Sequence, residues 1–530
     1  MPSFNLADLF ELVADAVPDR LALVAGDTRL TYAELEARAN RTAAALAAAG
    51  VGPGDRVSIL SVNRAEWLET QIAAYKLRAA PVNVNYRYTA GELAHVIGDS
   101  GSAALVGERG PLARLTSVRD TLPDLRYVLV LEDGTDGEVP GSVGYEEALA
   151  AASPGRVPAE RSGDDLFLLY TGGTTGLPKG VMWRSEDIFF QAMGGGNMVG
   201  DPIQRPGQAA ENALAGGLTI MCNAPLMHAA GIWVCWAALL SGSKLVLWSR
   251  PSFSAAGILE VAAREGVQVM TVIADVMARP IVELLEAEPG AYDLSSLLVV
   301  ATGGSVTSPG VKERLHRAIP SLMMILDPIG GSETGTAARA IEPGPDGVPR
   351  FAPQPDAAVL DEKLRRIEPG SQEIGVFARS GRIPIGYWND EAKTAATFVT
   401  DADGVRWALQ GDMMRVDAEG NMILLGRGSG VVNTGGEKVY AEEVEAALKS
   451  HPAVYDVLVV GVPDERLGQR VTAVVSLSSP AGEEELRDHC RLTLAGYKVP
   501  RRIHVVDEVR RTPSGKADYR WAKETAATLG

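Results

Sequence analysis

The sequence predicts an α/β fold, in which a large N-terminal domain of helix-covered, mostly parallel sheets carries a smaller β subdomain and precedes a small, mobile α+β domain. Short apolar runs alternate with helical stretches through roughly the first 425 residues, which is typical of parallel sheets buried on both faces. A glycine-rich stretch at 426–440 interrupts this alternation. We therefore predict domains over residues 1–426 and 427–530 joined by a hinge, the alternative being a long surface loop inside one domain.

The elements of both domains follow from hydrophobic periodicity. Apolar residues between Leu6 and Val17 have helical spacing and predict an N-terminal helix. The apolar run at 229–240 predicts a buried helix, because a membrane span needs about 20 residues. Runs of strand length predict the main strands at 56–62, 165–171, 244–248, 267–273 and 297–304. The C-terminal domain is predicted to contain a helix at 441–451 and two strands at 454–462 and 469–477.

The net charge and the cysteine count argue against several classes of protein. The 530 residues carry a formal charge of −17, which disfavours nucleic acid or an anionic membrane as the main partner. The three cysteines have neither a disulfide framework nor a zinc-binding spacing, which fits a reducing compartment. The N-terminus lacks the layout of a signal peptide, so we expect a cytoplasmic protein without a membrane span. The choice between a monomer and a homodimer stays open.

The stretch "YTGGTTGLPKG" at 170–180 has the composition of a phosphate-binding loop. A strand-like run leads into glycines, which let backbone N–H groups approach phosphate oxygens, and threonines and a lysine follow. The stretch does not fit the Walker P-loop, because Pro178 precedes the lysine and Gly180 stands where Ser or Thr is needed. It does not fit G-x-G-x-x-G either. A turn without a ligand remains the alternative interpretation.

This stretch resembles the phosphate-binding signature of the adenylate-forming superfamily. With the following "VMWRSEDIF", it is most similar to actinobacterial fatty-acyl and steroid-acyl CoA synthetases. Other elements of the family occur in the expected order, namely "PLMHAAG" at 225–231, "GGSETG" at 330–335, "QGDMMRVDAEGNMILLGR" at 410–427 and "TPSGKADYR" at 512–520. The resemblance therefore covers nearly the whole chain.

The resemblance implies an ATP-dependent acyl-CoA synthetase that uses Mg²⁺ and coenzyme A. A carboxylate would attack the α-phosphate of ATP to give acyl-AMP and pyrophosphate, and the thiol of CoA would then release AMP. The carboxylic acid is expected to be long-chain or bulky and lipophilic, a fatty acid or a steroid acid. Two alternatives stay open: an adenylation enzyme for an aryl acid or a carrier-protein-linked acyl group, and a nonenzymatic binder of nucleotide or acyl-adenylate.

The same resemblance assigns expected nucleotide-binding residues. Binding of the β- and γ-phosphates is expected from Thr171, Gly173, Thr174, Thr175, Gly176 and Lys179. Glu333 and Thr171 would bind Mg²⁺, and Ser332 would touch the α-phosphate. Asp412 would accept hydrogen bonds from the ribose hydroxyls and Arg427 would support the ribose or phosphate side. The adenine would lie against Gly303, Gly304, Ser305, Ile329 and Gly330, although many relatives have an aromatic ring where this chain has Ile329.

The catalytic assignments centre on Lys516, with His228, Ser332 and Glu333. Lys516 would bridge the attacking carboxylate and the α-phosphate as negative charge builds. His228 would lie beside the carboxylate and gate entry of the thiol, and the small residues at 229–231 would leave room for a bulky acyl group.

Two glycine-rich segments and one long segment complete the expectations. Gly430 stands where many relatives have Asp or Lys, and its conformational freedom would suit a hinge. Gly435 and Gly436 would line the channel for the thiol of CoA. The segment at 190–217 is the expected source of acyl specificity, because flexible loops near a site vary readily.

Overall fold

A computed structural model describes residues 2–171, 177–197, 200–303, 307–341, 350–427, 430–434, 437–464, 466–512 and 516–529, without the side chains of Arg427 and Lys438. Within these ranges, no helix combines the length and the apolar character that crossing a bilayer requires. The α/β fold class predicted from the sequence is confirmed by the sheets described below.

The first part of the chain builds a parallel sheet with strand order β4-β3-β5-β6-β7. Apolar side chains on its two faces belong to separate core clusters, because α2, α3 and α6 cover one face and α4 covers the other. The elements are α1 (Leu6–Ala16), β1 (Leu21–Ala25), β2 (Thr28–Thr31), α2 (Tyr32–Ala48), β3 (Arg56–Leu60), α3 (Ala65–Lys76), β4 (Ala80–Asn83), α4 (Ala90–Ser100), β5 (Ala104–Glu108), α5 (Arg109–Ala113), β6 (Tyr127–Leu131), β7 (Val143–Gly144) and α6 (Tyr145–Ala151).

The next part builds a second sheet with order β14-β13-β12-β10-β11-β1-β2, parallel apart from the β1–β2 hairpin. This part contains the strands predicted at 165–171, 244–248, 267–273 and 297–304 and the buried helix predicted at 229–240, whereas the strand predicted at 56–62 is β3 of the first sheet. The elements are β8 (Leu166–Thr171), β9 (Lys179–Arg184), α7 (Ser185–Ala192), α8 (Gln208–Ala215), β10 (Thr219–Cys222), α9 (Ala229–Leu240), β11 (Lys244–Leu247), α10 (Ala255–Glu265), β12 (Val269–Ile273), α11 (Ala274–Ala287), β13 (Val299–Gly303), α12 (Pro309–Ala318) and β14 (Met324–Leu326).

The strand–helix alternation ends at β14 rather than near residue 425, and an antiparallel sheet follows. Its order is β15-β16-β17-β23-β22-β19-β18, with β21 beside β22, and it corresponds to the predicted smaller β subdomain. A Cβ atom at Gly330 would lie 1.9 Å from the carbonyl oxygen of Gly335, so the close pairing of β15 and β16 requires glycine there. The elements are β15 (Pro328–Gly331), β16 (Gly335–Ile341), β17 (Arg350–Pro353), β18 (Ala357–Leu360), β19 (Gly375–Arg379), β20 (Gly386–Tyr387), α13 (Glu391–Thr397), β21 (Phe398–Thr400), β22 (Arg406–Val416) and β23 (Met422–Arg427).

The C-terminal residues form their own sheet, in the order β25-β24-β27-β26 with β28 parallel to β27. Helices α14 and α15 pack on one face and α16 packs on the other. The β26–β27 hairpin is longer than predicted, because Asp464 still pairs with Gly468. The elements are β24 (Val431–Thr434), β25 (Glu437–Tyr440), α14 (Ala441–Lys449), β26 (Val454–Asp464), β27 (Gly468–Leu477), α15 (Glu483–Arg491), β28 (Arg502–Val505) and α16 (Tyr519–Leu529).

Several contacts between described residues join the C-terminal sheet to the preceding part of the chain, and two of them bear on the hinge. The guanidinium of Arg279 on α11 lies 4.6 Å from the ring centroid of Tyr455 on β26. A Cβ atom at Gly426 would lie 2.1 Å from the carboxylate of Glu442, so α14 approaches the end of β23 closely. The φ angle of Gly430 is outside the left-handed region in this arrangement, and a Cβ atom there would meet Glu442 at an ordinary 3.5 Å. The arrangement described here does not itself require glycine at position 430.

Candidate active site

The glycine-rich stretch connects two antiparallel strands. Thr171 at the end of β8 pairs with Lys179 at the start of β9, and α7 begins only after β9 ends. Backbone N–H groups, hydroxyls and Lys179 are therefore the local donors for a phosphate, and no helix N-terminus follows the loop directly. Four of the expected phosphate-binding residues lie outside the described residues: Gly173, Thr174, Thr175 and Gly176.

Asn83 at the end of β4 holds the entrance to this stretch. Its side-chain amide donates to the carbonyl of Tyr170 at 2.8 Å, and its amide oxygen accepts from the backbone N–H of Tyr170 at 2.8 Å. The same amide donates to the carbonyl of Met227 at 2.7 Å, next to His228. Asn83 therefore ties the expected phosphate loop to the expected carboxylate site. The sequence analysis missed it, although an asparagine inside the buried strand "APVN" is a signal that could have drawn attention to it.

The exit from the stretch is paired with the segment that contains β20, which forms a three-stranded sheet with β9 and β8. Lys179 donates a hydrogen bond to the carboxylate of Asp390, and the backbone N–H of Trp388 donates to the carbonyl of Gly180 at 2.7 Å. β20 pairs with β9 through Tyr387 and Val181. Lys179 thus lies at the phosphate loop as expected, but its immediate partner is an acidic residue that the sequence analysis did not identify.

Glu333 and Ser332 lie in the turn between β15 and β16. Trp183 on β9 donates from its indole N–H to the carbonyl of Ser332 at 2.8 Å, which fixes this turn beside the hairpin of β8 and β9. The hydroxyl of Tyr387 donates to Oε1 of Glu333 at 2.9 Å. Burial, followed by the charge of Glu333, raises the pKa of Tyr387 well above its ordinary value, so the tyrosine keeps the proton that it donates.

Whether this turn fits Mg²⁺ can be judged from the side-chain groups that it offers as metal ligands. Among the described residues there is no cluster of three His, Cys, Asp or Glu side chains of the kind that holds a metal by itself. Mg²⁺ beside a nucleotide commonly takes one or two carboxylates and completes its shell with phosphate oxygens and water. A half-buried carboxylate such as Glu333, with one oxygen oriented by a tyrosine, fits that kind of site.

The expected adenine and ribose residues that the structure describes lie at the end of β13, on β15 and within β22. Gly303 ends β13, and the adjacent Thr302 donates to the buried Asp327 at 2.8 Å. Ile329 packs against the core of the β subdomain, and Gly330 is exposed beside it. Asp412 is buried on β22 and lies opposite Arg427 in the register with β23. Gly304, Ser305 and the side chain of Arg427 lie outside the described parts of the structure.

His228 immediately precedes α9, in a loop held by buried asparagines. Asn63 donates to the carbonyl of Ala224 at 3.1 Å and accepts from the backbone N–H of Leu226 at 2.7 Å. A Cβ atom at Gly231 would lie 2.5 Å from the carbonyl oxygen of Pro225, so the glycine has a packing reason in addition to the room that it was expected to leave for the acyl group. His228 itself is half-buried, and no described residue forms a hydrogen bond with its inaccessible Nε2 atom.

Lys516 reaches the surroundings of His228 from the C-terminal sheet. The segment that carries it closes on itself, because the backbone N–H of Thr512 donates to the carbonyl of Lys516 at 2.8 Å. Burial, followed by the positive charges of Lys516 and Arg87, lowers the pKa of His228 to about 4. The imidazole is therefore neutral at pH 7. Two expected catalytic residues that are far apart in sequence are thus brought near each other.

The remaining expectations are only partly described. Gly435 and Gly436 lie outside the described residues, between β24 and β25. In the expected specificity segment, the 3₁₀ turn Gly194–Gly196 lies against α9. Helix α8 of the same segment packs against α1 and buries Ala209 and Ala213, so this part is a structural support rather than a flexible loop.

Comparison with known proteins supports the family resemblance. Residues 10–388 match the family described as AMP-binding enzyme, and residues 443–516 match the AMP-binding enzyme C-terminal domain. The chain is 45% identical over 540 residues to the 3-oxocholest-4-en-26-oate–CoA ligase of Rhodococcus rhodochrous, covering 98% of this chain and 96% of that protein. It is also 45% identical over 531 residues to the medium/long-chain-fatty-acid–CoA/3-oxocholest-4-en-26-oate–CoA ligase of Mycobacterium tuberculosis, with the same coverage.

A solved structure shows the same architecture. The crystal structure of the anthranilate CoA ligase AuaEII in complex with anthranoyl-AMP superposes with a TM-score of 0.85 at 25% identity, covering 100% of this chain and 99% of that one. Three findings point to the same family: the family matches in both parts of the chain, the relatives that are similar over its whole length, and the shared architecture. The chain belongs to the AMP-binding enzymes, the adenylate-forming superfamily.

Proposed function

We propose that this enzyme is an AMP-forming acyl-CoA ligase that activates a long-chain or bulky lipophilic carboxylate, a fatty acid or a steroid acid. The names of the whole-length relatives support this substrate class. The charge effect of Lys516 on His228 supports the chemistry, because the resemblance assigns both residues to the place where a carboxylate would meet ATP. That charge effect is the observation on which the mechanism chiefly rests.

In the first half-reaction, the carboxylate oxygen forms a bond to the α-phosphorus of ATP and pyrophosphate leaves. The hairpin residues Thr171 and Lys179, with the intervening glycines and threonines, hold the pyrophosphate end. Lys516 stabilises the negative charge that develops between the carboxylate and the α-phosphate. Glu333 and Thr171 would hold Mg²⁺, which would neutralise phosphate charge when bound. Asp412 orients the ribose.

A neutral His228 suits this half-reaction. A protonated imidazole would repel Lys516 and would form an ion pair with the carboxylate, which would hinder the attack of that carboxylate on phosphorus. Burial avoids both effects by keeping the ring neutral near pH 7. His228 is therefore proposed to contact the acyl carboxylate as an uncharged polar group and to border the path of the thiol.

In the second half-reaction, the thiol of CoA loses its proton to solvent, its sulfur forms a bond to the acyl carbon, and AMP leaves with the electrons of the broken acyl–oxygen bond. Lys516 has no role in this step, so we infer that the C-terminal domain, from residue 427 onward, turns about Gly430 between the two half-reactions. Gly435 and Gly436 would then border the thiol path. A cytoplasmic location stays a prediction, which fractionation can test, and light scattering can decide between a monomer and a homodimer.

A panel of carboxylic acids in a pyrophosphate-release assay, with and without CoA, tests the proposed function. We expect ATP-dependent pyrophosphate release only with the lipophilic long-chain or steroid acids, and AMP with thioester only when CoA is added. An aryl acid as the preferred substrate, or thioester formation on a carrier protein and never on CoA, would contradict the proposal. Failure of every acid would favour a nonenzymatic binder of nucleotide.

A further inference from the structure

One short segment contacts both the phosphate-loop lysine and the glutamate proposed to bind the metal. We propose that residues 387–390 form a positioning segment, in which Tyr387 orients Glu333 for the metal and Asp390 holds Lys179 at the phosphate loop. This inference rests on the proposed function, since it assigns a task to residues beside that site. Neither Tyr387 nor Asp390 was identified by the motifs read from the sequence.

The Tyr387 contact is suited to orienting a carboxylate. Its side chain is buried and its ring lies 5.7 Å from that of Phe398, so few ring positions are available to it. Its hydroxyl donates to Oε1 of Glu333 at 2.9 Å. A donor to one carboxylate oxygen restricts rotation of the carboxylate and leaves the other oxygen as the natural site for a cation. Glu333 is thus held by a residue outside its own turn.

Asp390 forms the second contact of the segment. Its carboxylate accepts from the ammonium of Lys179 and, through Oδ1, from the backbone N–H of Lys393 at 2.9 Å as the N-cap of α13. The Lys179 hydrogen bond, followed by the one from Lys393, lowers the pKa of Asp390, so the carboxylate stays charged. Lys179 is therefore kept beside the phosphate loop by an anchored anion.

The segment is itself tied to both strands of the phosphate hairpin. Tyr387 pairs with Val181 on β9. On the other side, the carbonyl of Asp99 accepts from the indole of Trp388 and from the side chain of Asn389, both at 3.0 Å. The carboxylate of Asp99 accepts from the hydroxyl of Tyr170 on β8 at 2.5 Å. Because these bonds surround the hairpin, a displacement of the segment would move the lysine and the glutamate together.

The chemical consequence concerns a polyphosphate with its metal. Lys179 and Glu333 would act on the same polyphosphate. Lys179 would contact the phosphate oxygens directly, whereas Glu333 would contact them through a bound cation. A shared support keeps the distance between these two groups constant. In addition, loss of a group that orients a metal ligand typically weakens metal binding about 10- to 100-fold. Tyr387 is therefore a positioning residue for the metal–nucleotide complex.

The experiment measures ATP binding to the full-length enzyme by calorimetry, with Mg²⁺ and separately with EDTA. Tyr387→Phe keeps the ring and removes only the hydroxyl. We expect it to raise the Kd for ATP about tenfold with Mg²⁺ and to leave the Kd in EDTA unchanged. Asp390→Asn keeps the N-cap and serves as the matched variant, and we expect it to change the Kd by the same factor in both conditions.

A double-mutant cycle with Glu333→Gln identifies the route of the effect. If Tyr387 acts through Glu333, Tyr387→Phe should have no further effect on the Kd in the Glu333→Gln background. An equal effect of Tyr387→Phe with and without Mg²⁺, no effect at all, or additivity with Glu333→Gln would overturn the proposal. Failure of the proposed function is distinguishable, because it would appear as missing thioester in the wild-type enzyme while these binding ratios remain measurable.

Discussion

Removing the charge of Lys516 tests the arrangement at the centre of the candidate site. In the structure, burial is the largest cause of the low pKa of His228, and Lys516 and Arg87 add to it. The pKa falls from 6.5 to about 4, so Lys516 accounts for less than half of that difference. We therefore expect Lys516→Ala to raise the pKa of His228 by about one pH unit at most and by a measurable fraction of a unit at least.

The measurement is an NMR titration of the enzyme with ¹³C-labelled histidine. The chain has 6 histidines, and the signal of His228 is assigned by its loss in His228→Gln. In the wild-type protein, a pKa of about 4 leaves roughly one imidazole in a thousand protonated at pH 7. In Lys516→Ala, the His228 signal should begin to shift at higher pH. Lys523→Ala, which removes an exposed lysine from α16, is the matched control and should leave the titration unchanged.

The same variant has a kinetic consequence. Lys516→Ala should slow pyrophosphate release about 100-fold or more, the usual effect of removing a group that stabilises charge in the transition state. Thioester formation from supplied acyl-AMP should change little. An unaltered His228 titration would refute the inferred proximity of the two residues, and equal loss of both half-reactions would refute the role of Lys516 in adenylation.

Two further predictions concern the C-terminal part of the chain. Burial, followed by the charge of Glu442, raises the pKa of Glu445 to about 8 in the folded protein. The folded state therefore retains a proton that the unfolded chain loses above about pH 4.5. As a result, the free energy of unfolding falls as the pH rises from about 4.5 to about 8. Glu445→Gln should flatten the decline of Tm between about pH 5 and pH 8, whereas Glu508→Gln, at an exposed residue, should leave it unchanged. Equal slopes of Tm against pH in the wild-type protein and both variants would contradict the assignment of this pH dependence to Glu445. Gly430→Pro should slow thioester formation more than adenylation, because proline restricts the proposed hinge. Gly430→Ala fits the described backbone. If this variant also loses the second half-reaction selectively, the arrangement of the C-terminal domain used for thioester formation must need a conformation at residue 430 that only glycine adopts. An unchanged second half-reaction in Gly430→Pro would contradict the proposed hinge.

The sequence predicted the parallel part of the fold well because near-continuous apolar strands carry a strong signal. The strands ending at Thr171 and Gly303 and the buried helix Ala229–Leu240 are where periodicity placed them. The antiparallel β subdomain was harder to delimit. Some of its strands are short and only partly buried, as in Pro328–Gly331, so their apolar pattern is weak.

The partners within the site could not be derived from spacing. Glu333 and Tyr387 are 54 positions apart, and Lys179 and Asp390 are 211 positions apart. Such pairs depend on how β9 and β20 meet, which no local pattern encodes. Gly231 was interpreted from the sequence as leaving space for the acyl group. The structure adds a second reason for a glycine there, because the carbonyl of Pro225 approaches it too closely for a side chain.

The proximity of Lys516 and His228 couples protonation to the position of the C-terminal sheet. If the arrival of Lys516 lowers the pKa of His228, protonation of His228 must weaken the docking of Lys516 by the same free energy, because linkage between two sites is reciprocal. When the C-terminal part turns away, the imidazole loses a nearby cation and its affinity for a proton rises. On the proposed mechanism, the half-reaction that uses Lys516 would therefore coincide with the least basic state of His228, and the step after its departure would have a more basic imidazole beside the proposed thiol path.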